Sequence, residues 1–264
     1  MVSSLKYAKR IQTAAMPSQE NMRSIFGDYL FVFRPFNIVS GDYMWATQKG
    51  KYKLLVVADC TGHGVPGALL SILGISLLNE LVATNDLDAT APGVLLNLMR
   101  GSLKKTLRQE VKTDEATKDG MDLALMIFDM EAMKLRYAGA YRPIVRVRDG
   151  QVDQFETSKM PIGSHIKDSK DFESFETDIR EGDRFYAFSD GITDQFGGKS
   201  GRTKFGDRRL KGLLASIHTL PFQEQYSVIK DCVSQWTTQI SGDDTLIETY
   251  CPQIDDQLLL GIRI

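Results

Sequence analysis

The chain has 264 residues, 42% of them hydrophobic, 9% aromatic and 25% charged, with 22 Gly and 8 Pro. This composition excludes disorder, a collagen-like repeat and a coiled coil as the whole molecule, and the length suffices to bury a core without covalent staples. With 32 basic against 34 acidic side chains, the net charge of −2 supplies no global field for nucleic acid or anionic lipid.

Three cysteines, Cys60, Cys232 and Cys251, form no CxxC pair. Their count and spacing argue against a disulfide framework or a structural zinc site and for a reducing compartment. The first ten residues carry positive charge with no apolar stretch behind them, so no secretory signal is read. Uninterrupted apolar runs such as residues 54–58 fall far short of the ~20 residues of a membrane span. A cytoplasmic location, with no membrane contact and no nucleic-acid partner, is the expectation.

Residues 4–15 place Leu5, Ala8, Ile11 and Ala15 near helical spacing, and Pro17 ends the pattern. This helix either docks on the domain C-terminal to it or connects that domain to an upstream sensor or dimer stalk. The expected division is a connector helix over 1–17 and one domain over 18–264. Residues 29–34 read as a strand. Residues 43–47 and 52–59 read as a hairpin turning at Gly50, its second strand almost wholly apolar, as a strand buried on both faces is.

Residues 65–81 and 92–110 read as helices, the second opening with Pro92, where a missing N–H costs little. Residues 112–120 read as a loop. Strands are expected over 123–129, 134–138, 144–148 and 151–156, with Asp149-Gly150 signalling a type I′ hairpin. A strand over 184–189, helices near 207–216 and 222–238, and a last strand over 257–264 complete the order. Strands grouped in hairpins and helices in pairs predict an α+β domain of antiparallel sheets covered by helices, not a βαβ repeat.

Acidic residues recur at the ends of the apolar strands. Asp42 lies in Ser40-Gly-Asp-Tyr43, Asp59 opens the turn Cys60-Thr-Gly-His-Gly64, Asp190 ends the strand before Gly191, and Asp255 and Asp256 precede the last strand. A carboxylate at a buried strand end is costly unless its charge is offset. Singly, such residues cap turns; together, four such sites beside Gly or another Asp would suit Mg2+ or Mn2+.

The segments Val39-Ser-Gly-Asp-Tyr-Met-Trp45, Val57-Ala-Asp-Cys-Thr-Gly-His-Gly-Val-Pro-Gly-Ala68, Ala138-Gly-Ala-Tyr-Arg-Pro143, Met160-Pro-Ile-Gly163, Ser189-Asp-Gly-Ile-Thr-Asp-Gln-Phe-Gly197 and Asp255-Asp256 occur in that order. In them the chain resembles the bacterial SpoIIE-type branch of the metal-dependent protein phosphatases (the PPM family), over roughly residues 5–264. The resemblance implies an αββα sandwich, two antiparallel sheets flanked by helices, with two Mn2+ or Mg2+ ions at the edge of the sheets. It implies that Asp59 bridges the ions, that the carbonyl of Cys60 contacts one, and that Asp190 and Asp255 are further ligands. Asp42 would hold an ion or its water. Asp194 and, ranked below Asp255, Asp256 are candidates for an additional metal position.

The implied activity is hydrolysis of phosphoserine or phosphothreonine on a regulatory protein of the anti-sigma-factor-antagonist type. A water activated between two ions would attack phosphorus in line, without a phosphoenzyme. Control is expected through residues 4–15, by an upstream sensor domain or activator, and a homodimer is expected. The chain departs from many eukaryotic relatives in having Thr61 where they place His, so no general-acid role passes to His63. Cys60 stands where a Gly is usual, which a carbonyl ligand tolerates.

Two look-alikes fail on spacing. A Cys60 nucleophile lacks the preceding His and the Arg six residues on, those positions being Asp59 and Pro66. Gly197-Gly-Lys-Ser200 lacks the earlier Gly of a P-loop, where Thr193 stands. Lys199, Arg202 and Lys204, with Arg208, Arg209 and Lys211, read as a solvated face or as a patch steering substrate phosphate. Two rival functions remain: a catalytically silent regulatory or scaffolding module of the same fold, and a histidine-kinase-like ATP-binding module. The second rests on a faint likeness of residues 59–64 to an Asp-x-Gly-x-Gly loop and has no use for Asp190 and Asp255.

Overall fold

Short apolar strands joined by tight turns pair most readily with their neighbours in antiparallel fashion. The computed structural model, which describes residues 2–109, 118–167, 169–240 and 248–264, has two large antiparallel sheets of this kind and two small two-stranded ones. Helices α1 (Val2–Ala15) and α2 (Gln19–Phe26) lead into β1 (Tyr29–Arg34), followed by the hairpin β2 (Asp42–Lys49) and β3 (Tyr52–Cys60). Helices α3 (Gly64–Thr84) and α4 (Pro92–Thr106) come next. Strands β4 (Gly120–Asp129), β5 (Lys134–Ala140), β6 (Ile144–Arg148), β7 (Gln151–Gln154), β8 (Ile162–Gly163), β9 (Phe175–Asp178) and β10 (Arg184–Phe188) follow. The last part holds α5 (Asp190–Thr193), β11 (Phe196–Gly197), β12 (Thr203–Lys204), α6 (Asp207–Ile217), α7 (Phe222–Thr237), β13 (Thr238–Ile240), β14 (Glu248–Tyr250) and β15 (Gln257–Arg263).

Of the two large sheets, the first runs β1-β15-β10-β6-β7 and the second β2-β3-β4-β5-β9, with β8 beside β4; β11-β12 and β13-β14 form separate two-stranded ribbons. Alternation along the strands divides the side chains between two layers. Phe185, Ala187, Leu258, Leu260 and Ile262 of the first sheet share a core with Leu55, Val57 and Phe128 of the second. The alternate residues Tyr186, Phe188 and Leu259 face outward onto Leu210 and Leu214 of α6 and Phe222 and Ile229 of α7. On the far side, α3 and α4 cover the second sheet through Leu70, Leu77, Leu96 and Met99. The expected helix–sheet–sheet–helix layering is therefore the observed one.

Several elements differ from the sequence reading. Helix α2 has no counterpart there, being only 8 residues long, although the Ser18 hydroxyl caps it by accepting from the Asn21 N–H. Edge strand β9 is also absent from it, because its residues are mostly polar and only half-buried or exposed. Strand β4 begins at Gly120, three residues before the expected start, and α4 ends at Thr106 rather than at 110. The loop expected over 112–120 lies, for residues 112–117, outside the described residues. Helix α3 is long and apolar enough by length and composition to cross a membrane. A count of uninterrupted apolar runs passes over it, yet half of its most apolar stretch is buried in this fold.

Helix α1 packs on α3 with Leu5, Ala8, Gln12 and Ala15 turned inward, not with the expected Leu5, Ala8, Ile11 and Ala15. Ile11 is 51% exposed, whereas Gln12 is 3% exposed and fully hydrogen-bonded.

Candidate metal centre

The register of the second sheet sets Asp42 opposite Asp59 on β2 and β3, and Asp59 opposite Asp122 on β3 and β4. Directly paired residues share a face, so three carboxylates stand in a row across three strands. Like charges so placed are destabilising unless a cation joins them. The first sheet contributes the ends of two adjacent strands: Asp190 just beyond β10, and Asp255 and Asp256 just before β15. Gly191 lets these segments touch, since a Cβ there would lie 1.9 Å from the Asp256 carbonyl oxygen.

One guanidinium gathers the cluster. Nη2 of Arg142, from the connection between β5 and β6, donates to Asp59 Oδ2 at 2.7 Å and to Asp190 Oδ2 at 2.8 Å, and lies 3.3 Å from Asp122 Oδ2. Two buried polar atoms here have no hydrogen-bond partner among the described residues, Asp42 Oδ2 and Arg142 Nε. Burial pushes the Asp59 carboxyl up to about 7, with Arg142 opposing and Asp190, Asp255 and Asp122 adding to the rise. Burial likewise pushes Asp122 up to about 6, again opposed by Arg142 and aided by Asp190. Asp42 is driven well above the usual carboxylate range by burial and by Asp59, and Asp255 is raised by burial.

Among the described residues, no group of three or more His, Cys, Asp or Glu side chains stands assembled as a metal cluster. Instead three carboxylate oxygens lie within 3.3 Å of one cationic nitrogen, beside the partnerless buried oxygen of Asp42. Hard, anionic oxygens converging on one positive atom are a donor set that fits Mg2+ or Mn2+.

The structure sorts the other sequence candidates. Asp256 is a strut: its carboxylate accepts from the N–H of Phe36 and of Gly41, both at 2.7 Å, and so fixes the loop that leads into Asp42. Asp255 Oδ1 accepts from the Asp256 N–H at 2.8 Å. The thiol of Cys60 is buried and pushed well above its usual range by that burial, which removes it as a nucleophile. His63 packs its ring edge on Phe36 and shares a hydrogen bond with Asn37 at 2.8 Å. Asp194, the candidate for an additional metal position, accepts from Lys204 at 2.7 Å. Lys199 and Arg202 lie exposed between β11 and β12, while Arg209 of the same basic run stacks on the Trp236 ring at 4.0 Å.

Sequence reasoning misses Asp122 and Arg142. The signal for Asp122 is present, an Asp two residues after Gly120 at the head of an apolar run. Arg142 lies within the motif Ala138-Gly-Ala-Tyr-Arg-Pro143, but only the fold shows that its side chain reaches Asp59 and Asp190.

The family model for Stage II sporulation protein E (SpoIIE) matches residues 49–249. Among solved structures, the SiaA-PP2C domain of Pseudomonas aeruginosa superposes with a TM-score of 0.82 at 27% identity, over 99% of this chain and 96% of that one. The PP2C phosphatase domain, with a fragment of the regulatory domain, of the cell fate determinant SpoIIE from Bacillus subtilis gives 0.68 at 20% identity, over 90% and 63%. The catalytic domain of the serine/threonine protein phosphatase PstP in complex with two manganese ions gives 0.59 at 14% identity, over 89% and 96%. No curated protein matches the sequence. The ATP-binding alternative is thereby set aside. The chain belongs to the SpoIIE family, and its double sheet flanked by helices is the fold of the PP2C phosphatase domains.

Proposed function

We propose that this chain is a metal-dependent phosphatase that hydrolyses phosphoserine or phosphothreonine on a regulatory protein, acting as the output domain of a signalling pathway. The observation that carries this reading is the meeting of Asp59, Asp122 and Asp190 on one cationic atom beside the partnerless oxygen of Asp42. Asp42, Asp59, Asp190 and Asp255, with the carbonyl of Cys60, would hold two Mn2+ or Mg2+ ions. Bound there, such ions lower the pKa of water toward neutrality and offset charge on phosphoryl oxygens.

The remaining work falls to the chain itself. The stacked carboxylates hold a high density of negative charge, which disfavours phosphate until cations offset it. Asp256 holds the Phe36–Gly41 segment in place and with it the approach to Asp42. Gly41 keeps that approach narrow, since a Cβ there would meet the carbonyl oxygens of Gly62 at 2.7 Å and Cys60 at 3.2 Å. Lys199 and Arg202, both exposed, would steer a phosphoprotein toward the site, whereas Lys204 pairs with Asp194.

A substrate of the anti-sigma-factor-antagonist type belongs to the same proposal, as do a cytoplasmic location, a homodimer and residues 1–17 as the connector that receives an upstream signal. The test is phosphate release from a phosphoserine peptide, titrated with Mn2+, Mg2+ and EDTA, beside Asp190→Asn. Release that needs metal and falls at least about 100-fold in the variant is the expected result. Calorimetric Mn2+ binding without release under any condition would instead identify a silent module.

A further inference from the structure

Arg142 is placed with more care than a surface counter-ion requires. It follows Tyr141, a non-glycine residue at φ 58° in the left-handed region, and precedes Pro143, which fixes its own φ. The Tyr141 N–H donates to the Ser158 carbonyl at 2.9 Å and the Arg142 N–H to the Ala140 carbonyl at 2.6 Å. Left-handed backbone at such a residue costs about 1–3 kcal/mol and persists where the surroundings over-determine it. The side chain it projects is only 11% exposed and ends among the carboxylates of Asp59, Asp122 and Asp190.

A role limited to neutralising those carboxylates leaves part of the donor set unexplained. Nη2 has two hydrogens and faces three carboxylate oxygens, so these contacts are shared rather than a locked two-pronged pair. Nε is buried and has no partner among the described residues. A guanidinium with shared and unused N–H groups, at the centre where a phosphomonoester must react, has the planar fork that matches phosphoryl oxygens. A dianionic phosphate approaching Asp42, Asp59, Asp122 and Asp190 also needs fixed positive charge from the protein.

We infer that Arg142 is the substrate-binding residue of this site, donating to the non-bridging oxygens of the phosphoryl group. The inference rests on the phosphatase reading above and adds to it the protein group that recognises the phosphate. It separates Arg142 from a purely structural counter-ion, which would hold Asp59 and Asp190 in place and touch no substrate.

The experiment combines turnover with two direct binding measurements on wild type, Arg142→Lys and Arg142→Met. Inorganic phosphate binding to Mn2+-loaded protein and Mn2+ binding itself are read by calorimetry, and KM and kcat with p-nitrophenyl phosphate. The expected result is a loss of phosphate affinity and a rise in KM of about 10- to 100-fold, the worth of a charge-assisted hydrogen bond. Mn2+ affinity should be kept or rise, since the carboxylates remain and, in Arg142→Met, a competing cation is gone. Arg142→Lys keeps the charge and loses the fork, so it carries the test if Arg142→Met does not fold.

Unchanged phosphate affinity in Arg142→Lys and in every other variant that folds, or a loss confined to Mn2+ binding, would overturn the inference. If wild type binds phosphate without turning over substrate, the phosphatase reading fails while the phosphate-binding role is still decided by the variants. If Mn2+-loaded wild type binds no phosphate, the role of Arg142 is overturned.

Discussion

Asp122 faces Asp59 across the β3–β4 ladder, and the two repel one another except where a cation intervenes. Because burial raises Asp122 to about 6, ionising it opposes folding. Its contribution to stability is full below the unfolded value near 4 and is lost as pH rises through 6. Asp122→Asn should therefore raise Tm in EDTA at pH 8, by about 2–4 °C if ~1 kcal/mol is recovered, and change Tm little at pH 4.5. Differential scanning calorimetry at the two values decides it; equal shifts at both would mean that Asp122 carries no ionisation penalty. At this scale Asp42, Asp59, Asp190 and Asp255 are legible because each is an acid at the end of an apolar run. Asp122 carries the same signal, at the head of the run 123–128, but lies in none of the family-like motifs and so is passed over. Arg142 lies inside one of those motifs, yet its role rests on partners 83 and 48 residues away, which the motif alone does not name.

Among the elements, α1 shows how a polar residue outweighs hydropathic spacing. Its Gln12 amide donates to the Ser40 carbonyl at 2.5 Å and to Ser71 Oγ at 2.8 Å, and its oxygen accepts from the Ser40 N–H at 3.1 Å. One side chain thus ties α1 both to α3 and to the segment two residues before Asp42. Gln12→Ala would leave the buried Ser40 amide group without these partners, at a cost of about 1–3 kcal/mol. Melting temperature and phosphate release should both fall, while Ile11→Ala, on the exposed face of the same helix, should change neither. Identical behaviour of the two variants would show that α1 has no hold on the Ser40–Asp42 segment. The periodicity of α1 is readable in the sequence, yet its buried stripe is misassigned there because a hydrogen-bonded Gln scores as surface. The long apolar strands and the helices α3, α4, α6 and α7 are readable for the opposite reason: their burial is carried by aliphatic side chains, which spacing does reveal.

Across the whole molecule, the two ends of β10 hold opposite electrostatic arrangements. Asp190 follows the strand into the carboxylate cluster, whereas Asp183 precedes it at a corner closed by opposite charges. There the Arg148 guanidinium donates to both Asp183 oxygens, at 2.6 and 2.5 Å, the Arg180 N–H donates at 3.0 Å, and the Ile264 N–H reaches the Asp183 carbonyl at 2.9 Å. Burial pushes the Asp183 carboxyl up, but the Arg148 fork and the Arg180 N–H outweigh it and hold the group below the usual range. Its stabilisation is therefore present above the unfolded value near 4 and is lost as pH falls through the lower folded value. The cluster at the other end behaves in the reverse sense, losing stability as pH rises from about 4 through the raised value of Asp59, about 7. In EDTA these two limbs should place maximal Tm near pH ~4–5. Excess Mn2+, binding the ionised carboxylates, should lift the neutral side selectively, by ~2.7 kcal/mol at a concentration 100 times Kd. Asp183→Asn should lower stability by about 3–5 kcal/mol and flatten the acid limb while leaving the Mn2+ response intact. A Tm that rises steadily from pH 5 to 8 in EDTA would contradict the assignment of the cluster as a store of repulsion that cations relieve.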